Sequence, residues 1–379
     1  MYNVHPTVFV VIPVYNRLHF TRECLDGLRS QTYSPLILIV VDGGSTDGTP
    51  EILGREYPEV VLLQGSRELW WAGAMHLGVE YALSRSRDMG DMLLMMNNDT
   101  VIDQDYVETL VRVSHEKQAA VGALIVDSRD PSRILDAGEF IDWSTYSFPV
   151  KSTVGRDEVF FDGVDVLPGR GTLIPLRMFR AAGNVNPEMF PHYIADYEFF
   201  CRLRRHGFRL GVTYEARIRA HLDETGLFVG TSPALTFREA WAILFSIRSM
   251  HNVRDHWRFI DQCAPTELQG RLKRLLVWRS LHLVVRATKL RHVVFPLAWF
   301  LAGSYYVTEG DCKRYGLNAA ELVEAGILTP WVKDDWYVFA DDRKNWWSGR
   351  PDLRRLYRRA WNPLTKANRW LKVKARCAG

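Results

Sequence analysis

The chain has 379 residues, 47% of them apolar, and a formal net charge of only +4. That length and composition exclude a disordered protein and leave room for a catalytic domain plus an extension. Charge is unevenly spread, with basic residues gathering after Arg271 and most acids of chemical interest lying before Glu224, so an anionic partner is expected for the C-terminal part.

Cys24, Cys201, Cys263, Cys312 and Cys377 are odd in number, widely spaced and without a C-x-x-C pair, which argues against a disulfide framework and a zinc site. A reducing cytoplasm fits that usage. The apolar run Val8 to Val14 is too short for a signal peptide and no basic segment precedes it, so the mature chain is expected to start where the sequence does.

Val8 to Val14, a continuous β-branched run ending near Tyr15 and Asn16, predicts a fully buried strand. A helix over Thr21–Ser30 follows, then a strand Leu36–Val41, a helix Pro50–Arg55, a strand Val60–Leu63, a helix Gly73–Ser84 and a strand Asp91–Met96. Strands alternating with helices predict a mostly parallel sheet. From Val121 to Gly169 the pattern loosens, with Pro131, Pro149 and Pro168 as punctuation, and reads as short strands and loops around an active site. Helices are expected at Arg177–Ala182 and Tyr197–His206, and a strand at Phe208–Val212.

Beyond Thr231, Trp241–Met250 and Leu272–Arg291 read as amphipathic helices. The apolar run Val293–Val307 falls short of the roughly twenty residues a bilayer span needs and contains Pro296 and Gly303, so it reads as interfacial or buried. The Arg- and Trp-rich segment from Asp341 onward suits a membrane surface or a polymer, while ordinary helices packing on the catalytic domain or forming a dimer would explain the same composition.

Two strand tips carry the chemistry. Leu36–Val41 ends in Asp42 and the turn Gly43 to Thr49, and Met92–Met96 ends in Asn97, Asn98 and Asp99. Open α/β sheets bind ligands at such tips, and acids there suggest a nucleotide and metal site. Asp42 is placed to accept a hydrogen bond from a base edge, with Pro13, Tyr15 and Asn16 at the neighbouring tip walling in the ring. A plain turn capping the next helix would leave the same residues.

The ordered motifs VIPVYNR, VVDGGSTDGT, LWWAGAMHLG, MMNNDT, PGRGTLIP and ADYEFFCRL, spread over Val8 to Gly226, resemble the family 2 glycosyltransferases with the GT-A fold, including rhamnosyltransferase-like members. The resemblance implies an α/β, Rossmann-like nucleotide-diphospho-sugar transferase domain with a mostly parallel central sheet over residues 1–230. Residues 231–379 would form a helical, basic, Trp-rich extension. It further implies an inverting, metal-dependent transfer of a sugar, hexosyl or rhamnosyl, from a UDP- or dTDP-sugar to an acceptor hydroxyl in bacterial surface polysaccharide or glycolipid assembly. The partners so implied are the nucleotide-sugar donor and a glycan or lipid-linked glycan acceptor. Peripheral membrane contact through the extension and self-association stay open, and no nucleic acid is expected.

Residue by residue, the resemblance assigns Asp42, Pro13, Tyr15 and Asn16 to the nucleotide. Asn97, Asn98 and Asp99 stand where such enzymes usually carry an Asp-x-Asp or Asp-Asp pair, which leaves Asp99 as the one carboxylate for Mn²⁺ or Mg²⁺. His221 matches a late metal- or phosphate-binding histidine, with Asp223 as the neighbouring alternative, although a lone histidine is more often structural. Asp196 matches the catalytic base and Glu198 is the runner-up, since their spacing on one helix sends them in different directions. Gly169, Arg170, Gly171 and Thr172 would line the sugars, with Arg170 able to meet a phosphate. One of the two adjacent tryptophans, Trp71, would stack on a sugar or cover the nucleotide and the other, Trp70, would be buried in a loop hinge, while the helix opening at Ala72, Gly73 and Ala74 would offer amides to the diphosphate or ribose. His76 stands where the family often has Asn.

Two other classes share parts of this pattern. A nucleotidyltransferase needs a Gly-rich, Lys- or Arg-bearing phosphate loop after the first strand, where this chain has Tyr15, Asn16 and Arg17. A non-catalytic nucleotide-binding scaffold of the same fold would account for the two amides before Asp99.

Overall fold

Parallel pairing of four apolar strands organises the computed structural model of the chain. The structure describes residues 5–221, 236–288, 306–314, 316–324, 328–331 and 333–339. Contacts divide it into two compact units, one of Met1–Ser232 with Trp241–Ser280 and one of Pro233–Ala240 with Leu281–Gly379.

In chain order the first unit comprises β1 (Val8–Val14), α1 (Leu18–Arg29), β2 (Leu36–Asp42), α2 (Thr49–Glu56), β3 (Val61–Gln64), α3 (Trp70–Arg85), β4 (Met92–Met95), β5 (Thr100–Ile102) and α4 (Tyr106–Lys117). It continues with β6 (Ala119–Asp127), β7 (Ile134–Asp136), β8 (Phe160–Phe161), β9 (Thr172–Pro175), α5 (Leu176–Ala182), α6 (Ala195–Arg205) and β10 (Arg209–Ala220). Helices α7 (Phe237–Phe245), α8 (Val253–Cys263) and α9 (Thr266–Arg286) follow.

The sheet order is β3-β2-β1-β4-β9-β6-β10-β5. Its long registers, β1 with β2 and β4, β2 with β3, and β6 with β10, are parallel, and the short strands β5, β7, β8 and β9 run against them. This is the α/β fold with a mostly parallel sheet expected above. Alternation explains why β1, β2 and β4 have no polar face. Phe9, Val11, Ile39, Val41, Leu93 and Met95 pack on the side covered by α3, α6 and α8, whereas Val8, Val10, Ile12, Leu38, Val40 and Leu94 pack on the side covered by α1, α2 and α4. α3 lies so close to β1 that a Cβ on Gly78 would stand 2.2 Å from Val11 Cγ1.

Several expectations need correction. The loosened stretch from Val121 begins within β6, a nine-residue strand buried throughout. Gly122 breaks its β-branched run because Leu167 Cδ2 would stand 3.1 Å from a Cβ there. Helices α4 and α8 carry no expected counterpart; Asn252 caps α8 by accepting from the Arg254 and Asp255 amides. α7 starts and ends earlier than Trp241–Met250, and α9 covers Thr266–Arg286. The first compact unit also takes in residues 241–280.

The second unit has, besides helical segments, a three-stranded antiparallel sheet of Tyr306–Thr308, Lys333–Phe339 and Leu328–Trp331 in that order. Most of Val293–Val307, Asp223 and everything from residue 340 onward lie outside the described residues. No described helix is long and apolar enough to cross a membrane.

Candidate active site

The C-terminal ends of β1, β2 and β4 lie at one edge of the sheet because the three strands are parallel neighbours. After β1, Asn16 and Arg17 take φ of 57° and 64°. That conformation is unfavourable for Arg, and the loop after β2 holds it. Asn16 N–H donates to Ser45 Oγ at 2.7 Å, Thr46 N–H to Asn16 Oδ1 at 2.8 Å, and Leu18 N–H to Asp47 Oδ2 at 3.0 Å. These three hydrogen bonds tie the two loops together.

Asp42 is 3% exposed. Its Oδ2 accepts the Gly44 and Ser45 amides, each at 3.0 Å, and caps the turn, while Oδ1 is buried with no hydrogen-bond partner. An unpaired buried acceptor costs about 1–3 kcal/mol, so the second oxygen is poised for a ligand donor. One oxygen of Asp42 thus belongs to the turn, and the other is left without a protein partner. Tyr15 beside it is 39% exposed and carries the Arg67 guanidinium 5.3 Å from its ring centroid, and Pro13 is half-buried within β1.

Asp99 is 6% exposed, with Oδ2 3.8 Å from Arg17 Nη1 and Oδ1 buried without a partner. His221 directly follows β10, with its backbone N–H 3.4 Å from the Asp99 carbonyl, since β10 runs antiparallel to β5. Its Nδ1 lies 3.1 Å from Ser128 Oγ, its Nε2 3.4 Å from Glu23 Oε2, and its ring 4.8 Å from that of Phe20. Among the described residues no three His, Cys, Asp or Glu side chains converge as a metal cage. The orphaned, buried Asp99 oxygen fits one oxygen ligand of a divalent cation, while the His221 ring lies against Ser128, Glu23 and Phe20.

Asn97 Oδ1 accepts the Trp71 indole N–H at 3.0 Å. Trp70 and Trp71 are both half-buried, and the Trp70 ring stands 5.8 Å from that of His192. Asn98 turns away from the edge and donates to Thr21 Oγ1 of α1 at 3.0 Å, so it braces the helix rather than a ligand. The expected amide cradle at the start of α3 is also not formed: Ala72 N–H is taken by the Pro191 carbonyl at 3.1 Å, and Gly73 is buried beneath Leu69. His76 gives its Nδ1 hydrogen to the Val185 carbonyl at 2.8 Å.

Asp196 opens α6. Its Oδ2 accepts the Gly169 amide at 2.8 Å and its Oδ1 the Tyr197 amide at 3.0 Å. Desolvation raises its pKa above the ordinary Asp range, and the Gly169 amide, other backbone donors and Arg170 oppose that rise. A raised carboxylate accepts protons nearer neutrality, as a general base should. Glu198 is corrected as an alternative base: Arg202 takes both its oxygens at 2.9 Å, and that guanidinium also bonds the Ala182 and Asn184 carbonyls. Arg170 faces acids, its charge acting on Asp136 and Asp196. Gly171 is a packing position, with φ 75° and a Cβ that would stand 2.4 Å from Tyr106 Oη; its amide goes to Met95 and its carbonyl to Tyr106.

One group escaped the sequence. Asp136 and Glu139 are each 8% exposed and their carboxyl groups act on each other, and the Tyr197 phenol lies against Glu139. Burial, then the neighbouring Asp136, holds the Glu139 pKa well above the usual carboxylate range. The available signal was two acids three residues apart among apolar neighbours, ILDAGEFI, within a stretch that reads as loop.

Contacts connect the three acids expected to share a cleft. They run from Asp42 through Ser45, Asn16 and Arg17 to Asp99 and its neighbour Asn97. From Asn97 they continue through Trp71 to Gly169, where a Cβ would stand 2.3 Å from Trp71 Cζ2, and so to Asp196.

A mostly parallel α/β sheet with polar residues at the C-terminal tips of its strands is the architecture in which open α/β folds place their ligands. A family model described as glycosyl transferase family group 2 matches residues 92–308, over half the chain, and one described as glycosyl transferase family 2 matches residues 9–166. The chain belongs to the family 2 glycosyltransferases. It is 32% identical over 124 residues to glycosyltransferase GlyA of Streptococcus pneumoniae serotype 4, which is 31% of this chain and 17% of that protein. It is 28% identical over 216 residues to the succinoglycan biosynthesis protein ExoA of Rhizobium meliloti, 54% of this chain and 60% of that one. The match therefore spans less than two thirds of either relative, and under a fifth of the first. Mannosyltransferase PcManGT from Pyrobaculum calidifontis, solved with GDP-Man and Mn²⁺, aligns with a TM-score of 0.50 at 16% identity, over 97% of this chain and 88% of that chain, and shares the GT-A fold.

Proposed function

We propose that this protein transfers a sugar, with inversion at the anomeric carbon, from a UDP- or dTDP-sugar to a hydroxyl of a glycan or lipid-linked glycan acceptor in bacterial surface polysaccharide or glycolipid assembly. The observation that carries the reading is the pair of buried, unpartnered carboxylate oxygens, Asp42 Oδ1 and Asp99 Oδ1, at or past the tips of the two strands that flank β1, with Asp196 joined to them by contacts. Membership of the family and the role named for the Rhizobium relative support it.

Asp42 Oδ1 accepts a base-edge N–H of the nucleotide, and Tyr15 and Asn16 bound the ring. Trp71 and Asn97, locked together, cover the donor sugar. Asp196 takes the proton of the acceptor hydroxyl as that oxygen attacks the anomeric carbon, and the bond to the diphosphate oxygen breaks with its electron pair leaving on the nucleoside diphosphate. Asp99 and His221 would hold Mn²⁺ or Mg²⁺, which supplies charge neutralisation to the departing diphosphate when bound. Exposed Trp241, Trp257 and Trp278 in the basic C-terminal part support contact with an anionic membrane surface that presents the acceptor.

Screening of UDP-, GDP- and dTDP-sugars by donor hydrolysis identifies the donor, and Asp196→Asn then tests the mechanism. Transfer should be lost by about 10²-fold or more while calorimetric donor affinity stays within about threefold, because the base acts on the acceptor. Transfer by Asp196→Asn at the wild-type rate would falsify the base assignment. Absence of nucleotide binding in the presence of Mn²⁺ would favour a scaffold.

A further inference from the structure

Behind Asp196 lies the buried pair Asp136 and Glu139, which the proposed transfer does not use. Two neighbouring carboxyl groups, each 8% exposed, repel each other and lose solvation when both are ionised, which favours keeping a proton on one of them. Glu139 Oε2 is buried and has no hydrogen-bond partner. Asp136 is fixed as the acceptor of the pair, because its Oδ1 receives the Gly138 amide at 2.7 Å and Arg170 acts on it from the turn before β9. The shared proton therefore sits on Glu139.

Glu139 reaches Asp196 along two routes. Its side chain lies against the Tyr197 phenol, and Tyr197 is the residue whose amide binds Asp196 Oδ1. Its backbone bridges Val150 and Val166, and Val166 leads within three residues to Gly169, whose amide binds Asp196 Oδ2. Gly138 makes this turn possible, with φ 141° and a Cβ that would stand 2.9 Å from Val164 Cγ1.

We propose that Glu139 is a positioning residue that works as a neutral carboxylic acid, bracing both backbone donors that hold Asp196 in its catalytic orientation. The proposal rests on the reading of Asp196 as the base. Loss of the Glu139 proton would set Asp136, Glu139 and Asp196 as three anions against Arg170. The other charged neighbours are already engaged, Lys151 with Glu158 and Tyr214, and Asp165 with Arg204 and the Ile141 amide. Ionisation would therefore push Tyr197 and the start of α6 out of place.

The test has a spectroscopic arm and a kinetic arm, both on the full chain. Wild type at neutral pH should show the infrared carbonyl band of a protonated buried carboxylic acid; the band should vanish in Glu139→Gln and persist in Asp196→Asn. With the donor chosen by the hydrolysis screen, Glu139→Gln should retain transfer within about threefold at neutral pH and lose the alkaline decline of wild type. Glu139→Ala should lose about tenfold or more in kcat with donor KM unchanged. If Glu139→Ala does not fold, the Glu139→Gln profile decides alone. A wild-type alkaline limb retained in Glu139→Gln, or the absence of the band from wild type, overturns the proposal. An active Asp196→Asn that still carries the band overturns the base assignment, and with it the positioning role.

Discussion

The Gly169 amide hydrogen points at Asp196 Oδ2 over an N···O distance of 2.8 Å, and the glycine that supplies it has no room for a side chain. A Cβ there would stand 2.3 Å from Trp71 Cζ2 and 3.3 Å from Asp196 Oδ2. Gly169→Ala should therefore displace the tryptophan and the carboxylate together. The expected result is a loss in kcat of about 10- to 100-fold, the scale set by misplacing a catalytic group by a fraction of an ångström to an ångström. Steady-state kinetics with a circular-dichroism check of folding decide it; unchanged kcat in a folded variant would remove Gly169 from the site.

Asp42 divides its two oxygens between the protein and a ligand, and the variants separate the two jobs. Asp42→Asn keeps one oxygen to accept the Gly44 and Ser45 amides and places an amide donor where the free acceptor stood. Nucleotide affinity should fall by about 10- to 100-fold, equivalent to roughly 1.4–2.8 kcal/mol, with kcat at saturating donor nearly unchanged. Titration calorimetry with UDP and dTDP reads this directly, and wild-type affinity for both would break the link between Asp42 and the base.

Glu198 and Asp196 share the first turn of α6 yet have opposite surroundings, so their substitutions should diverge. Glu198→Gln loses the charge that both arms of Arg202 hold, and should lower stability by about 1–3 kcal/mol, seen as a melting midpoint several degrees lower. Transfer per folded molecule should stay within about threefold of wild type. A kcat collapse at normal stability would restore Glu198 as the proton acceptor.

The strand–helix alternation through β4 was legible because its causes are local: apolar runs that make strands with both faces buried, and turn residues between them. Asp42, Asp99 and Asp196 were legible as strand or helix tips. The rest depended on distant contacts. Gly122 interrupts β6 only because Leu167 needs the space, so the strand lost its pattern in the sequence. Asn98 and Gly171 have the chemistry of ligand-binding residues, and Thr21 and Tyr106, far away in sequence, are what occupy them. The Asp136–Glu139 pair looked like loop acids until Val150 and Val166 enclosed it.

His256 supplies a stability switch away from the site. It is 8% exposed, and its Nε2 lies 2.8 Å from the Met250 carbonyl, which can only accept, so the ring hydrogen resides on Nε2. Nδ1 is then the acceptor for the Tyr146 hydroxyl at 2.7 Å. Burial drives the pKa down from 6.5 to about 4, with the neighbouring His251 and Arg279 adding to the fall and the Met250 bond opposing it. A histidine depressed in the folded state favours its neutral form there, so its contribution is complete above pH 6.5 and is lost as pH falls toward about 4. The loss should be on the order of 3 kcal/mol. His192, pushed down to about 4 by burial and then by Arg248, acts in the same direction and window. Melting midpoints across this range should fall steeply for wild type and less steeply for His256→Gln. Tyr146→Phe should also flatten the curve, since Nδ1 can then take a proton without meeting a fixed hydroxyl. Identical slopes in wild type and His256→Gln would show that acid lability arises elsewhere in the chain.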